Sequence, residues 1–391
     1  MSWEFNMPKV VFGEDSIEEL ERVKGKSAFI ITDEVINKLG LVDKAVQILT
    51  DNQWSIAVWD CAEPDPRIST VREASVGIRE FGADTIVAIG GGSVMDTAKA
   101  AWVLYAKPDM DLTALSPFDE LGVAEKAKLV CIPTTAGTGS EVTHSVVIRE
   151  DETGRKFATV NSELVADLAI LDPYFVKDLP KNLTAYTGMD ALTHSVEAYV
   201  SSWKNDISDG CAMKAVKMVF EWLPKSVENL DDIEAREKML VAASLAGMAF
   251  GNSQVALSHS LGHSMGSVLR LHHGLSVGMA LPYTIEYSCK GVPDAARHYS
   301  ELASLIGIPG KRHVSVARKF AQAIRELMDS IGSPTSLKAA KVKKKDFKAG
   351  LDNLVKYTMM DAAITMNPRN TDSTIIRKIY EYMFEGNPID F

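Results

Sequence analysis

Five of the eight histidines fall between His194 and His273, and the residues around them have the types and intervals of a metal site. Asp190 and His194 stand four apart in Gly188-Met-Asp-Ala-Leu-Thr-His194, and His259 and His263 stand four apart in Leu257-Ser-His-Ser-Leu-Gly-His263. His273 follows His263 by ten residues, within Leu271-His-His-Gly274. Residues at i and i+4 share one face of a helix, so each pair can aim at one point. One carboxylate with several imidazoles is a ligand set for a divalent transition metal, with ferrous iron and zinc foremost. His272 and His273 are adjacent and cannot both point into one site from regular structure. Spacing does not choose between them, and Gly274 predicts a tight turn just after. Asp190 and His194 lie among Met189, Leu192, Val196 and Tyr199, the apolar frame of a mostly buried helix. Burying a carboxylate is costly unless it is paired or bound to a metal, which points to coordination; an Asp–His hydrogen bond inside a helix is the competing account. His144, His298 and His313 stand alone and read as structural or solvent-exposed.

A second chemical stretch lies upstream. Thr85-Ile-Val-Ala-Ile89 reads as a buried strand that runs into Gly90-Gly-Gly-Ser93 and a helix through Tyr105. Glycines there permit positive φ and remove the Cβ atoms that would keep an anion from the backbone, while the helix N-terminus offers N–H groups and its dipole. Ser93 is a capping candidate. The spacing is neither GxGxxG nor the lysine-containing mononucleotide motif, and a tight turn without a ligand is the plainer account. The strand over 129–132 ends in Pro133-Thr-Thr-Ala-Gly-Thr-Gly-Ser140, a hydroxyl-rich loop that can line the same crevice. Asp33 ends an earlier strand where a carboxylate accepts from ribose hydroxyls and repels a 2′-phosphate, favouring NAD over NADP; capping of the next helix is the alternative.

The elements that must hold these groups follow an α/β rhythm. Strands are predicted over 9–12, 28–32, 55–59, 85–89 and 129–132, with helices over 16–23, 36–50 and 71–81 and from the glycine loop to 105. Segments 146–149 and 157–160 flank Asp151-Glu-Thr-Gly154 as an antiparallel hairpin appended to the sheet. From about Pro173 strand signals nearly vanish, and helices are predicted over 187–201, 209–222, 233–250, 253–269, 276–287, 295–305, 315–331, 345–357 and 371–385. The expected fold is α/β: a Rossmann-like parallel-sheet domain that binds a dinucleotide, residues 1–178, followed by an all-helical metal- and substrate-binding domain, residues 179–391.

Composition limits the function. At 391 residues with a formal charge of −10, the chain lacks the basic stripe that phosphate backbones demand, so no nucleic-acid partner is expected; the basic run 338–348 reads as a solvated helix face. Cys61, Cys131, Cys211 and Cys289 are widely spaced with no CxxC, which fits a reducing compartment and no disulfide framework. The N-terminus has neither a basic segment nor an apolar core, and no run reaches a membrane-spanning length, so a soluble cytoplasmic protein is expected.

Taken in order, Gly90-Gly-Gly-Ser-Val-Met-Asp-Thr-Ala-Lys99, Pro133-Thr-Thr-Ala-Gly-Thr-Gly-Ser-Glu-Val-Thr143, Gly188-Met-Asp-Ala-Leu-Thr-His-Ser-Val-Glu-Ala-Tyr199 and the His259/His263/His273 series resemble the iron-containing (group III) alcohol dehydrogenase family. The likeness spans roughly residues 8 to 385. It implies Asp190, His194, His259 and His273 as metal ligands, with His263 beside the metal or on the substrate side near a nicotinamide. It also implies cofactor contacts at Asp33, Gly91, Gly92, Ser93, Thr134, Thr135, Thr138, Thr143 and Lys156, and a homodimer or a multiple of one. The family usually has proline before the last histidine ligand, whereas this chain has Ser267-Val-Leu-Arg-Leu-His272-His273, a departure that bears on substrate choice. The implied reaction is hydride transfer between a small alcohol or aldehyde and NAD, or NADP, with Fe2+, or Zn2+, polarising the substrate oxygen and His263 as the catalytic proton relay. Rival readings are a glycerol or polyol-phosphate dehydrogenase or oxo-acid reductase of the same superfamily, a dehydroquinate-synthase-like lyase, and a metal-dependent hydrolase without a dinucleotide.

Overall fold

The computed structural model describes residues 4–391, so the first three residues of the N-terminal stretch lie outside it. The described residues fall into two compact units, the first ending at Asp178 and the second spanning Leu179–Phe391. Among them no helix is long and apolar enough to cross a membrane.

Among its described residues the first unit has eight strands: β1 (Lys9–Phe12), β2 (Ser27–Ile31), β3 (Ser55–Trp59), β4 (Thr85–Gly90), β5 (Lys128–Pro133), β6 (Ser145–Arg149), β7 (Lys156–Val160) and β8 (Leu168–Leu171). Six form one parallel sheet in the order β1-β8-β5-β4-β2-β3. The hairpin β6–β7 is a separate two-stranded sheet rather than an extension of the large one. Strand β8 escapes sequence reading: four residues, Leu-Ala-Ile-Leu, are too few to show a period, and partners at β1 and β5 far along the chain define them as a strand. The expected helix over 36–50 is two helices, α1 (Glu34–Lys38) and α2 (Asp43–Asp51), because Gly40 takes φ +71° and turns the chain between them. The segment Ser16–Arg22 is a 3-10 helix.

Alternate residues of the central strands face opposite sides. Phe29, Ile31, Ile86, Ala88, Leu129 and Cys131 pack with α3 (Ile68–Phe81) and α4 (Gly92–Ala106), whereas Ala28, Ile30, Val87, Ile89, Val130 and Ile132 pack with α2. Cover on both faces explains why these strands read as unbroken apolar runs. β4 and β5 stay in register from Thr85↔Lys128 to Gly90↔Pro133, so the loops after them leave the sheet side by side.

The second unit is helical: α5 (Lys181–Val200), α6 (Asp206–Glu228), α7 (Ile233–Gly251), α8 (Leu257–Leu269), α9 (His273–Gly291), α10 (Pro293–Leu305), α11 (His313–Ser330), α12 (Lys344–Met360) and α13 (Ser373–Glu385). α5 is buried without a gap from Thr187 to Val200 and packs on α6, α7 and α9. A helix enclosed on every side is expected to be apolar throughout. Here Asp190, His194 and Glu197, at i, i+4 and i+7, put polar groups on one of its buried faces.

Candidate metal centre and phosphate loop

Three ring nitrogens converge on one carboxylate oxygen. Asp190 Oδ1 lies 3.8 Å from His194 Nε2, 3.8 Å from His259 Nε2 and 3.5 Å from His273 Nε2. Asp190, His259 and His273 each offer an atom within 4.8 Å of the others. Helix α5 carries Asp190 and His194, α8 carries His259, and the first residue of α9 is His273. His272 is the N-cap of α9, and its ring turns to Tyr186 at 5.4 Å, so the structure selects His273 from the adjacent pair. Gly274 makes no tight turn. It lies in the first turn of α9, where a Cβ would meet Tyr186 O at 2.2 Å and Asp190 Cβ at 3.3 Å, and its bare backbone lets α9 approach α5 closely enough for His273 to reach Asp190.

The cluster fits a cation. Among the described residues no hydrogen-bond donor reaches Asp190 Oδ1, and His259 Nε2 has no partner either, although both are buried. Ligand atoms about 2.1 Å from one ion stand about 3.4 Å apart in a tetrahedral site, close to the separations here. Burial pushes the Asp190 carboxyl up to about 7, against the pull of His259.

Glu197 orients one of these rings and was not singled out from sequence. Its Oε2 lies 2.6 Å from His259 Nδ1, and since a carboxylate only accepts, Nδ1 carries the hydrogen and Nε2 presents its lone pair to Asp190. The same carboxylate accepts from Ala256 N at 2.8 Å and Ser258 N at 2.5 Å, supplying the cap that Ala256 cannot give to α8. The signal was its i+7 spacing from Asp190. The His194 ring is held between Phe250 at 4.1 Å and His259 at 4.6 Å.

His263 is exposed on α8, its ring stacked on that of His273 at 5.3 Å. Asp361 Oδ2 takes its Nδ1 at 2.8 Å. Asp361 also accepts from Ser260 Oγ and Ala363 N; burial works to raise its pKa, and these bonds together with His263 outweigh burial and hold it below the ordinary carboxylate value. No local pattern links residues 98 positions apart, so this pair is a tertiary finding.

In the first unit the loops after β4 and β5 meet. Thr134 N donates to Gly90 O at 3.0 Å, and a Cβ on Gly92 would meet Thr138 Cγ2 at 3.0 Å, bringing Gly91, Gly92, Thr134, Thr135 and Thr138 into one neighbourhood. The three glycines do not need positive φ, contrary to expectation; a Cβ on Gly90 would strike Val94 at 2.4 Å, so close packing is what excludes larger residues. Gly91, not Ser93, is the N-cap of α4, and Ser93 Oγ accepts from Asp65 N at 3.4 Å. Asp33 caps α1, its Oδ1 accepting from Val35 N and Ile36 N at 2.9 Å each. It stands just past β2, and the chain reverses its direction across the sheet between β2 and β4, the place where such sheets open a crevice. Thr143 is buried, and Lys156 is exposed on β7 with Asp65 at 2.5 Å.

Known proteins match over both units. The family model described as iron-containing alcohol dehydrogenase matches residues 8–173, and that of the C-terminal part of the Fe-containing alcohol dehydrogenase family matches 184–384. The chain is 38% identical over 392 residues to aldehyde-alcohol dehydrogenase 2 of Entamoeba histolytica, covering 94% of this chain and 45% of that one, so it spans about half the length of that relative. It is 34% identical to NADPH-dependent butanol dehydrogenase of Clostridium saccharobutylicum over 99% of both. The solved iron-containing alcohol dehydrogenase of Thermococcus thioreducens superposes with a TM-score of 0.90 at 29% identity, over 99% of this chain and 100% of that one. The chain therefore belongs to the iron-containing alcohol dehydrogenase family.

Proposed function

We propose that the chain is a metal-dependent, NAD(P)-linked alcohol dehydrogenase and aldehyde reductase acting on small alcohols and aldehydes. The observation that carries this reading is the convergence of three Nε2 atoms on the unpaired, buried Asp190 Oδ1. Asp190, His194, His259 and His273 would hold a divalent ion, Fe2+ by family and Zn2+ by ligand type. Bound there, such an ion would supply Lewis acidity toward an alcohol or carbonyl oxygen, and a bound nicotinamide would supply the hydride acceptor or donor.

The chain's own groups do the rest. Glu197 fixes the His259 tautomer. Asp361 accepts a hydrogen bond from the Nδ1–H of His263 and so keeps the hydrogen on that nitrogen, which leaves the Nε2 lone pair to accept the proton of a substrate hydroxyl and pass it to solvent across the exposed face of the ring. Gly91, Gly92, Ser93, Thr134, Thr135, Thr138, Thr143 and Lys156 would hold the dinucleotide, with phosphate at the N-terminus of α4. Asp33, acidic and at the end of β2, favours NAD. The division of labour is residues 1–178 for the dinucleotide and 179–391 for metal and substrate. Four free cysteines support a cytoplasmic setting, and a homodimer or a multiple of one is the assembly we assign.

The test is anaerobic loading with Fe2+ or Zn2+, then NADH or NADPH formation with a panel of primary alcohols. Metal-dependent growth of the reduced-cofactor absorbance is expected, larger with NAD. No absorbance change with any alcohol, together with metal-dependent hydrolysis of an ester panel, would sink the reading.

A further inference from the structure

Lys99 follows Ser93 on α4, just short of two turns further on, and is fully buried. Its Nζ donates to the carbonyl oxygens of Ser140 at 2.6 Å and Thr143 at 2.7 Å, with the Ser145 carbonyl at 3.4 Å and the hydroxyls of Thr143 and Ser140 at 3.3 and 3.5 Å. A lysine ammonium has three donors and is strongly hydrated, so burying it among neutral oxygens is expensive, and burial accordingly lowers its pKa. One turn earlier on the same helix, Asp96 accepts from Ser140 Oγ at 3.1 Å and Val147 N at 3.2 Å. The two side chains therefore grip the segment from Ser140 to Val147 from below.

The grip passes to the phosphate-loop neighbourhood through short links. Ser140 N donates to Thr138 Oγ1 at 3.3 Å, and Thr138 Cγ2 is the atom that a Cβ on Gly92 would meet at 3.0 Å. The turn that delivers both Lys99-bound carbonyls to one side is the single 3-10 turn Ser140–Val142, entered through Gly139 at φ +61°. Without the ammonium, the Thr143 carbonyl would lose its 2.7 Å donor and the Ser140 carbonyl would keep only the 3.4 Å approaches of Thr143 N and Oγ1, and the turn would have to shift to satisfy them.

We propose that Lys99 is the positioning residue for the dinucleotide loops: it does not touch the cofactor, but its ammonium holds the 138–145 turn against Gly91 and Gly92 and so sets dinucleotide affinity. This rests on the dinucleotide reading of the first unit given above. Hydride transfer and metal loading depend on other residues, so the effect is confined to cofactor binding.

The test compares the full-length, metal-loaded wild type with Lys99→Met, which keeps the stem and removes the donors, and with Lys99→Gln, which keeps two. NADH affinity is read from fluorescence titration, kcat at saturating cofactor, and metal per chain by elemental analysis. Lys99→Met should bind NADH at least tenfold more weakly, Lys99→Gln should lie between it and wild type, and kcat and metal content should stay within twofold. Equal NADH affinity in the folded variants, or a fall in kcat with affinity unchanged, overturns the assignment. A wild type that binds neither NADH nor NADPH overturns the dinucleotide reading and this inference together. Hydrogen exchange in the wild type needs no variant: amides of 140–145 should be protected comparably to β4 and β5, and exchange as fast as that of exposed loops overturns it.

Discussion

Glu197 Oε2 lies 2.6 Å from His259 Nδ1, and this contact decides which nitrogen of His259 faces Asp190. It also ties the start of α8 to the helix that carries Asp190 and His194. Glu197→Gln keeps one acceptor but no longer forces the tautomer or balances the partial positive charge at the start of α8. Metal affinity should fall by about 10–100-fold with the fold retained, measured by competition with a fluorescent chelator. Unchanged affinity would show that the ring is held by packing alone.

Asp190→Asn and His194→Ala should reduce bound metal and abolish activity together, because Asp190 Oδ1 is the atom common to all three imidazole approaches. Chelation of the wild type should lower its thermal stability. With free metal at 100 times Kd, the loaded form gains about 2.7 kcal/mol. A variant that loses activity while keeping a full metal complement would remove that residue from the ligand set.

His263→Ala should leave metal content intact and lower turnover by roughly a hundredfold or more. Asp361→Asn should give a smaller loss and alter the pH–rate profile, since it removes the charge facing His263 Nδ1. Disappearance of metal in His263→Ala would make it a ligand instead.

Gly274→Ala would put a methyl against the Tyr186 carbonyl and displace the start of α9. A cost of about 1–3 kcal/mol in stability is expected, with metal affinity reduced because His273 moves with it. Urea denaturation and metal analysis on the same preparation check both.

Burial drives the Cys131 thiol up to about 12, with Lys99 pulling the other way, and the Cys289 thiol up to about 11, with Arg318 opposing. Thiolate is the nucleophile, so at pH 8 neither should react with a disulfide reagent in the native protein, while both should in denaturant. These raised values mean that the folded chain holds the protons more tightly than the unfolded chain, whose thiols titrate near 9.0. The stability they contribute is complete below about pH 9 and is lost as pH climbs toward about 11 for Cys289 and about 12 for Cys131, at about 1.4 kcal/mol per unit for each thiol. Denaturation midpoints from pH 8 to pH 11 measure the slope.

Local pattern carried much of this protein. The parallel strands at Ala28, Thr85 and Leu129 were legible because burial on both faces makes continuous apolar runs, and C-terminal helices such as α10, α11 and α13 were legible because their apolar stripes repeat at 3.6 residues. The i, i+4 pairs Asp190/His194 and His259/His263 were visible for the same reason: a helix turns sequence spacing into direction. What failed was set by long-range partners or backbone geometry. β8 is a strand through pairing with β1 and β5, the helix over 36–50 breaks at the φ of Gly40, and Gly274 answers to the Tyr186 carbonyl on another helix.

The sequence by itself determined the kinds of groups available and the helix faces they share, because those follow from residue type and a fixed helical pitch. Only the tertiary structure decided that His273 rather than His272 meets Asp190, that Glu197 and Asp361 orient their imidazoles, and that Lys99 grips the turn after Ser140. Each of those depends on how separate segments pack within a unit, and a distance between segments has no local signature along the chain.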